Sequence, residues 1–267
     1  MNKLRPYLRP IGIIAALVVV MVLLGFVERS AGRMIINGLD VRVQGAEGIH
    51  FIDEEAVRRE VLDHGTAVMG AAITEVDLPS IEERLRKIPS ISKAEVYHTM
   101  NGLLHVNVVQ REPVVRVFDR NGTSFYIDRD GYTMPVEADR PARVMVVMSD
   151  LDISTSLSGV RSVYANDSTM QRSKADAVHR LALFIRNDPF WNALIDHAVL
   201  DRNGNFELVP RIGGQRILIG DGSSLDERFA KLRIFYGKGM PRADWRRYDR
   251  IDLRFADQVV CTKRTTP

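Results

Sequence analysis

Three features of the sequence predict an α+β fold behind a single N-terminal transmembrane helix. A charge-free apolar run stands near the start. A stretch reading strand–helix–helix–strand–strand follows. The remainder reads as short strands joined by tight turns, with two helices among them, which predicts a mixed, mostly antiparallel β-domain. The 267 residues divide accordingly into a tail (1–10), a transmembrane helix (11–27), a linker (28–36), a first domain (37–112), a second domain (113–264) and a short tail (265–267).

The apolar run, Ile11 to Val27, includes Leu17, Val20 and Leu24 and holds no charged side chain. Seventeen residues meet the lower bound for a helix that crosses a bilayer. Lys3, Arg5 and Arg9 precede it and predict an N-terminus inside, with residues 28–267 outside the cytoplasm. A cleaved signal peptide is the alternative, but it carries a shorter apolar region and a small-x-small site, which Ser30-Ala31-Gly32 matches poorly. The same three basic residues account for the net charge of +3. Beyond residue 27 the chain holds 34 basic and 34 acidic side chains, which speaks against a nucleic-acid-binding face.

In the first domain, Leu39, Val41 and Val43 alternate along a strand that stops at Gly45. Asp53 caps a helix opening on Glu54 and Glu55, with Val57 and Val61 on one face and Gly65 as its stop. A second helix begins around Pro79, buries Ile81, Leu85 and Ile88, and ends at Pro89. Two strands then flank Asn101-Gly102, a hairpin signal.

In the second domain, Asp119-Arg120-Asn121-Gly122 and Asp128-Arg129-Asp130-Gly131 turn between three strands. A strand "ARVMVVM" and a polar loop over 149–171 follow. A helix from Ser173 to Asn187 carries Val178, Leu181 and Ile185 on one face. Three short strands come next, with Asn203-Gly204 turning between the first two. A helix then bears Leu225, Phe229, Leu232 and Tyr236. In "IDLRFADQVVCTKR", residues 251–264, Ile251, Leu253 and Phe255 alternate with Asp252 and Arg254 as in a half-buried strand. Val259-Val260-Cys261 forms a last short strand, with too little chain after it to cover its edge. An uncovered edge accepts an added strand.

The search for chemistry finds little. His50, His64, His98, His105, His179 and His197 are scattered, and His98 with His105 across the hairpin makes a poor metal pair. The single cysteine, Cys261, cannot form an internal disulfide and reads as a small strand residue. Ser90-Ile91-Ser92-Lys93 matches SxxK, but a strand stands where that chemistry needs a helix start. Gly213-Gly214 and Gly220-x-Gly222 lack phosphate-loop spacing. No cofactor or metal is expected, and a binding role is favoured over an enzyme.

Together these features resemble the bacterial cell-division family FtsQ, called DivIB in some lineages. The resemblance rests on "VRVQG", on "LRKIPSISKAEVYHTMNGLLHVNVVQREPVVRV", on "FYIDRDGYTMPV" and on "IDLRF". The stretch from Phe235 to Arg264 is similar to members from Bacteroidota. The resemblance implies that residues 37–112 form a POTRA-type domain. It further implies a non-enzymatic scaffold in the inner membrane at the division septum, which binds FtsB and FtsL and through them the synthase FtsW–FtsI. In that family FtsB adds a strand to the last strand of the β-domain. The carry-over marks Arg254 and Phe255 in the motif strand and Val259, Val260, Cys261 and Thr262 at the edge. Where the family carries a glycine-bearing turn, this chain has Asp257-Gln258. Two other readings remain: a POTRA-bearing binding module of an envelope export or assembly system, and a membrane-anchored periplasmic enzyme acting on the cell wall.

Overall fold

The computed structural model describes residues 17–22, 34–63, 67–137, 140–151, 159–240 and 247–264. The chain forms two compact units, residues 1–45 with 52–110, and residues 46–51 with 111–267. The expected boundary after residue 112 thus moves to 110/111. The tails 1–10 and 265–267, the anchor residues Ile11, Leu24 and Val27, the basic Lys3, Arg5 and Arg9, and Gly65 lie outside the described residues. Residues 17–22, which include Leu17 and Val20, are helical and exposed. Among the described residues no helix is long and apolar enough to cross a membrane.

The first unit has the expected β-α-α-β-β order. Strands β1 (Gly38–Gln44), β2 (Ile91–His98) and β3 (Leu103–Gln110) form a sheet of order β1-β3-β2, with β1 parallel and β2 antiparallel to β3. Helices α1 (Glu54–Leu62) and α2 (Leu78–Lys87) start on aspartates: Asp53 Oδ1 accepts the Ala56 N–H at 2.8 Å, and Asp77 Oδ1 that of Ser80 at 3.1 Å. Both caps satisfy a donor that the first turn leaves free. Val57, Val61, Ile81 and Leu85 pack with Val41, Ala94, Val96, Leu104 and Val106 in one core. The last residues of the expected linker already belong to this unit, because Ile36 is buried in that core. The hairpin differs in detail from a two-residue turn. Gly102 N–H donates to Thr99 O and Thr99 N–H to Leu103 O, so Met100-Asn101-Gly102 is a three-residue loop with Gly102 at φ +82°.

The second unit is built on a nine-stranded sheet. Its strands are β4 (Pro113–Phe118), β5 (Ser124–Asp128), β6 (Thr133–Pro135), β7 (Met145–Ser149), β8 (Ile195–Leu200), β9 (Phe206–Pro210), β10 (Arg216–Gly220), β11 (Tyr248–Asp252) and β12 (Val260–Lys263). The spatial order is β12-β11-β10-β9-β8-β7-β4-β5-β6. Five of the eight pairings are antiparallel; β4–β7, β7–β8 and β10–β11 are parallel. Helical crossovers join β7 to β8 and β10 to β11, as parallel neighbours require.

The expectation of two helices in this unit is corrected to four α-helices among the described residues: α3 (Ser168–Ser173), α4 (Ala175–Asn187), α5 (Pro189–Leu194) and α6 (Leu225–Ile234). The two extra ones have six residues each, too short to show a period in sequence, and aspartate caps define them. Asp167 Oδ1 accepts from Thr169 and Met170 N–H; Asp188 Oδ1 accepts from Phe190 and Trp191 N–H. The loop expected over 149–171 therefore ends at Asp167. Lys174, at φ 58°, separates α3 from α4. After α6 a π-helical turn, Phe235–Gly239, replaces the single long helix read from sequence. Trp191 is buried edge-on against Phe229, ring centroids 5.0 Å apart, in a core with Val115, Val117, Leu181, Leu208, Ile217 and Ile251.

One turn recurs three times. Asp119, Asp128 and Asp201 each precede an Arg-x-Gly and each turn two N–H donors onto one carboxylate oxygen. Asp128, 1% exposed, also pairs with Arg111 Nη1 at 2.7 Å. Asp128→Ala strips partners from a buried guanidinium and two backbone donors. It should cost about 3 kcal/mol in urea unfolding.

His179 on α4 is buried between Tyr164 Oη, 2.8 Å from Nδ1, and Arg129 O, 3.2 Å from Nε2. Nε2 donates to the carbonyl, so Nδ1 accepts from the tyrosine and the ring is neutral. Burial lowers its pKa, and the Arg129 carbonyl and Asp128 oppose that only in part. The unfolded chain takes up this proton near pH 6.5 while the folded chain does not, so stability falls as pH drops below that value. The urea midpoint should decrease from pH 7 to 5.5, and the slope should be shallower in His179→Gln.

Candidate functional site: the free edge of the sheet

The two ends of the nine-stranded sheet are finished differently. At the β6 end, residues 159–163 lie along the edge. Thr133 N–H donates to Arg161 O at 2.8 Å, Val163 N–H to Gly131 O at 2.8 Å, and Arg161 N–H to Thr133 Oγ1 at 3.0 Å. Tyr132 bridges Ser162, and Pro135 closes the strand. These are the devices that stop unwanted strand pairing.

At the other end, β12 pairs antiparallel with β11, with Asp252 opposite Val260, Ile251 opposite Cys261 and Arg250 opposite Thr262. No second strand neighbours β12 among the described residues. The direction of its backbone groups follows from two bonds. Leu253 N–H donates to Leu218 O on the β10 side, and Arg264 N–H donates to Arg247 O on the β11 side. Successive residues of a strand point their backbone groups to alternate sides. The N–H and C=O of Val260 and Thr262 therefore face β11, and those of Cys261 and Lys263 face outward. Side chains alternate as well. Cys261 turns to the core beside Val259, while Val260 and Thr262 are exposed. Burial pushes the Cys261 thiol pKa up, which keeps it protonated and unreactive.

The strand read over Ile251–Phe255 is corrected: β11 runs Tyr248–Asp252. Arg254 folds back on it, its N–H and Nε donating to Asp252 Oδ1 at 3.0 and 2.9 Å and Nη2 to Oδ2 at 2.6 Å. These bonds hold the Asp252 carboxyl below the usual carboxylate range. Leu253 is buried, yet its N–H bonds β10 beyond the end of β11. Phe255 stands 46% exposed in the connection to β12. Of the six residues singled out in the sequence, Val260, Cys261 and Thr262 thus form the edge strand and Val259 leads into it. Arg254 and Phe255 stand in the connection. Sequence reasoning missed Lys231 on α6, whose Nζ donates to Leu253 O at 3.2 Å and Phe255 O at 2.7 Å and so fastens the connection to the helical layer. A lysine on a helix gives no pattern that marks a clamp. Asp257 completes the turn at φ 56°, the left-handed region that glycine occupies without strain.

The other motifs are structural. His105 Nδ1 lies 3.0 Å from Asp40 Oδ2 and its ring stacks on Tyr97, while His98 pairs with Leu104. Ser90, the serine of the SxxK match, is buried just before β2, and Lys93 lies on that strand. Among the described residues no three His, Cys, Asp or Glu side chains are grouped to hold a metal.

Residues 112–262, more than half of the chain and all of this sheet except its last residue, Lys263, match the family described as FtsQ/DivIB, C-terminal related. The chain belongs to the FtsQ/DivIB family. The first unit, over 35–109, matches the POTRA-like domain. The cell division protein FtsQ of Rhodothermus marinus is 29% identical over 204 residues, 74% of this chain and 70% of that protein. The FtsQ/DivIB family is one of cell-division proteins, and β11 and all of β12 except Lys263 lie inside the matched region.

The clamp makes a prediction. Lys231→Met keeps the stem and removes two charge-assisted bonds, and should cost about 1–2 kcal/mol. Amide hydrogen exchange should accelerate over residues 253–261 more than over β8 and β9; a uniform change would show that Lys231 does not fasten this connection.

Proposed function

We propose that this FtsQ/DivIB protein is a single-pass scaffold of the inner membrane at the division septum, which docks FtsB–FtsL by strand addition to β12 and thereby helps recruit and control FtsW–FtsI. Its N-terminus lies in the cytoplasm, its two folded units in the periplasm, and it acts by binding, without a cofactor. The observation that carries this reading is the contrast between the sheet's ends: β6 is covered, and β12 has no second neighbour among the described residues. Strand addition draws affinity from outward main-chain groups and selectivity from alternate side chains. Here those groups are the N–H and C=O of Cys261 and Lys263, with Val260 and Thr262 beside them. Arg254, Phe255 and Val259 would frame the added strand. The anchor reading is supported by the charge-free run from Ile11 to Val27 and by the exposure of all six apolar side chains of the helical stretch 17–22.

Proline at position 263 removes one outward donor and no donor to β11. With the full chain in nanodiscs and the FtsB–FtsL pair of the same organism, Lys263→Pro should weaken binding by roughly tenfold, and Lys263→Ala by far less. The complex should slow amide exchange at Cys261 and Lys263. Unaltered binding by a folded Lys263→Pro protein would move the docking site off this edge.

A further inference from the structure

Three apolar side chains protrude from one end of the first unit. Ile35, Met69 and Met100 are 57%, 43% and 83% exposed. They come from three separate stretches that backbone hydrogen bonds draw together. Ile36 N–H donates to Ala71 O at 3.0 Å, Gly70 N–H to Ile36 O at 2.9 Å and Asn37 N–H to Gly102 O at 2.9 Å. Ile35 bridges Ala72, and Asn37 Nδ2 donates to Asn101 O at 3.0 Å. The segment 34–37 is thus clasped between the 67–72 loop and the tip of the β2–β3 hairpin. The clasp is tight: a Cβ on Gly102 would stand 2.5 Å from Ile35 O. The sheet face that carries Tyr97 is different in character, with His105 on Asp40, Arg42 on Asp40, and Glu95 and Asn107 alongside. Large exposed apolar groups of this unit's 34–110 stretch gather at the tip, apart from Tyr97 three residues before Met100.

The chain itself says what lies next to this end. The charge-free apolar run stops at Val27, eight residues before Ile35. Eight residues span at most about 28 Å fully extended. With that run in a bilayer, the clasped end is tethered close to the membrane surface. We propose that Ile35, Met69 and Met100 form a lipid-contacting tip that rests in the interfacial layer of the anchoring membrane. Methionine is unbranched and adaptable, which suits the irregular boundary between headgroups and acyl chains. The contact is apolar, so salt does not weaken it as it would a polybasic attachment. This inference rests on the reading of residues 11–27 as a retained anchor.

The test uses the full chain in phosphatidylcholine–phosphatidylglycerol nanodiscs. Single cysteines replace Met100, Lys93 or Val20 in a Cys261→Ala background and carry a nitroxide. Collision with oxygen, which concentrates in lipid, is compared with collision with a water-soluble nickel chelate. Lys93 is exposed on β2, seven residues or about 23 Å along the strand from Met100, and serves as the aqueous reference. The proposal expects the oxygen-to-nickel ratio at Met100 to exceed that at Lys93 by roughly threefold or more, at low and high salt alike. Equal ratios at Met100 and Lys93, with Val20 in lipid, would overturn the tip contact and leave the anchor standing. Shielding of Met100 from both reagents would overturn it too, since a protein segment would then cover the tip. A label at Val20 that collides with nickel would overturn the anchor and the tip contact together.

Discussion

An open sheet has two ends, and each exposes a row of backbone donors and acceptors. The second unit depends on how that constraint is met. At β6 the row is closed by the 159–163 segment and by Pro135. At β12 no second strand pairs with the row among the described residues, and the strand behind it is held firmly. Cys261 packs toward the core opposite buried Ile251, Leu253 bonds β10, and Lys231 fixes two carbonyls of the connection. An edge held in place before a partner arrives loses little conformational freedom on binding, which favours association. The same fastening lowers the chance that the edge strand peels away from β11 and exposes Ile251.

The repeated Asp-Arg-x-Gly turn shows how one local solution is set in different surroundings. In each copy a single carboxylate oxygen satisfies two backbone donors, so the hairpin closes without unpaired N–H groups. The second oxygen has three fates. In Asp128 it meets Arg111, in Asp201 it accepts from Asn205 Nδ2 at 3.3 Å, and in Asp119 it is buried with no hydrogen-bond partner among the described residues. The turn type is therefore a property of the four residues, whereas the energy stored or gained at each copy is a property of the fold around it.

This division explains what could be read from the sequence. The β-α-α-β-β order, both helix faces and the aspartate-led turns were legible, because each follows from residues within a few positions of one another. The last strand was legible too, from Val259, Val260 and Cys261. The end of β11 was not. Ile251, Leu253 and Phe255 keep a strand's alternation, yet Leu253, buried in the core, bonds β10 beyond the end of β11, and Phe255 is half exposed. Arg254 folds onto Asp252 through an i, i+2 contact that leaves no mark on the hydropathy pattern. Helices α3 and α5 were hidden for a related reason: six residues cannot display a 3.6-residue period, and their starting signals are short, a lone Asp167 for α3 and Asp188-Pro189 for α5.

The length of β12 also limits what strand addition alone can achieve. Two outward residues, Cys261 and Lys263, offer two donors and two acceptors. Four such bonds net roughly 2–6 kcal/mol, which does not exceed the cost of immobilising a partner. Main-chain pairing at this edge can therefore set register and direction, but not hold a complex by itself. For the strand addition proposed above, further affinity would have to come from other contacts, and the side chains next to the edge are the nearest source. Phe255 and Val260 are the large apolar groups there, both exposed by more than a third, and Phe255 is steadied through its own carbonyl by Lys231. An aromatic side chain on a fixed backbone is the kind of group that anchors an interface. In the docking proposed above, Phe255, though outside the strand where its sequence pattern placed it, would contribute more than any single residue of β12.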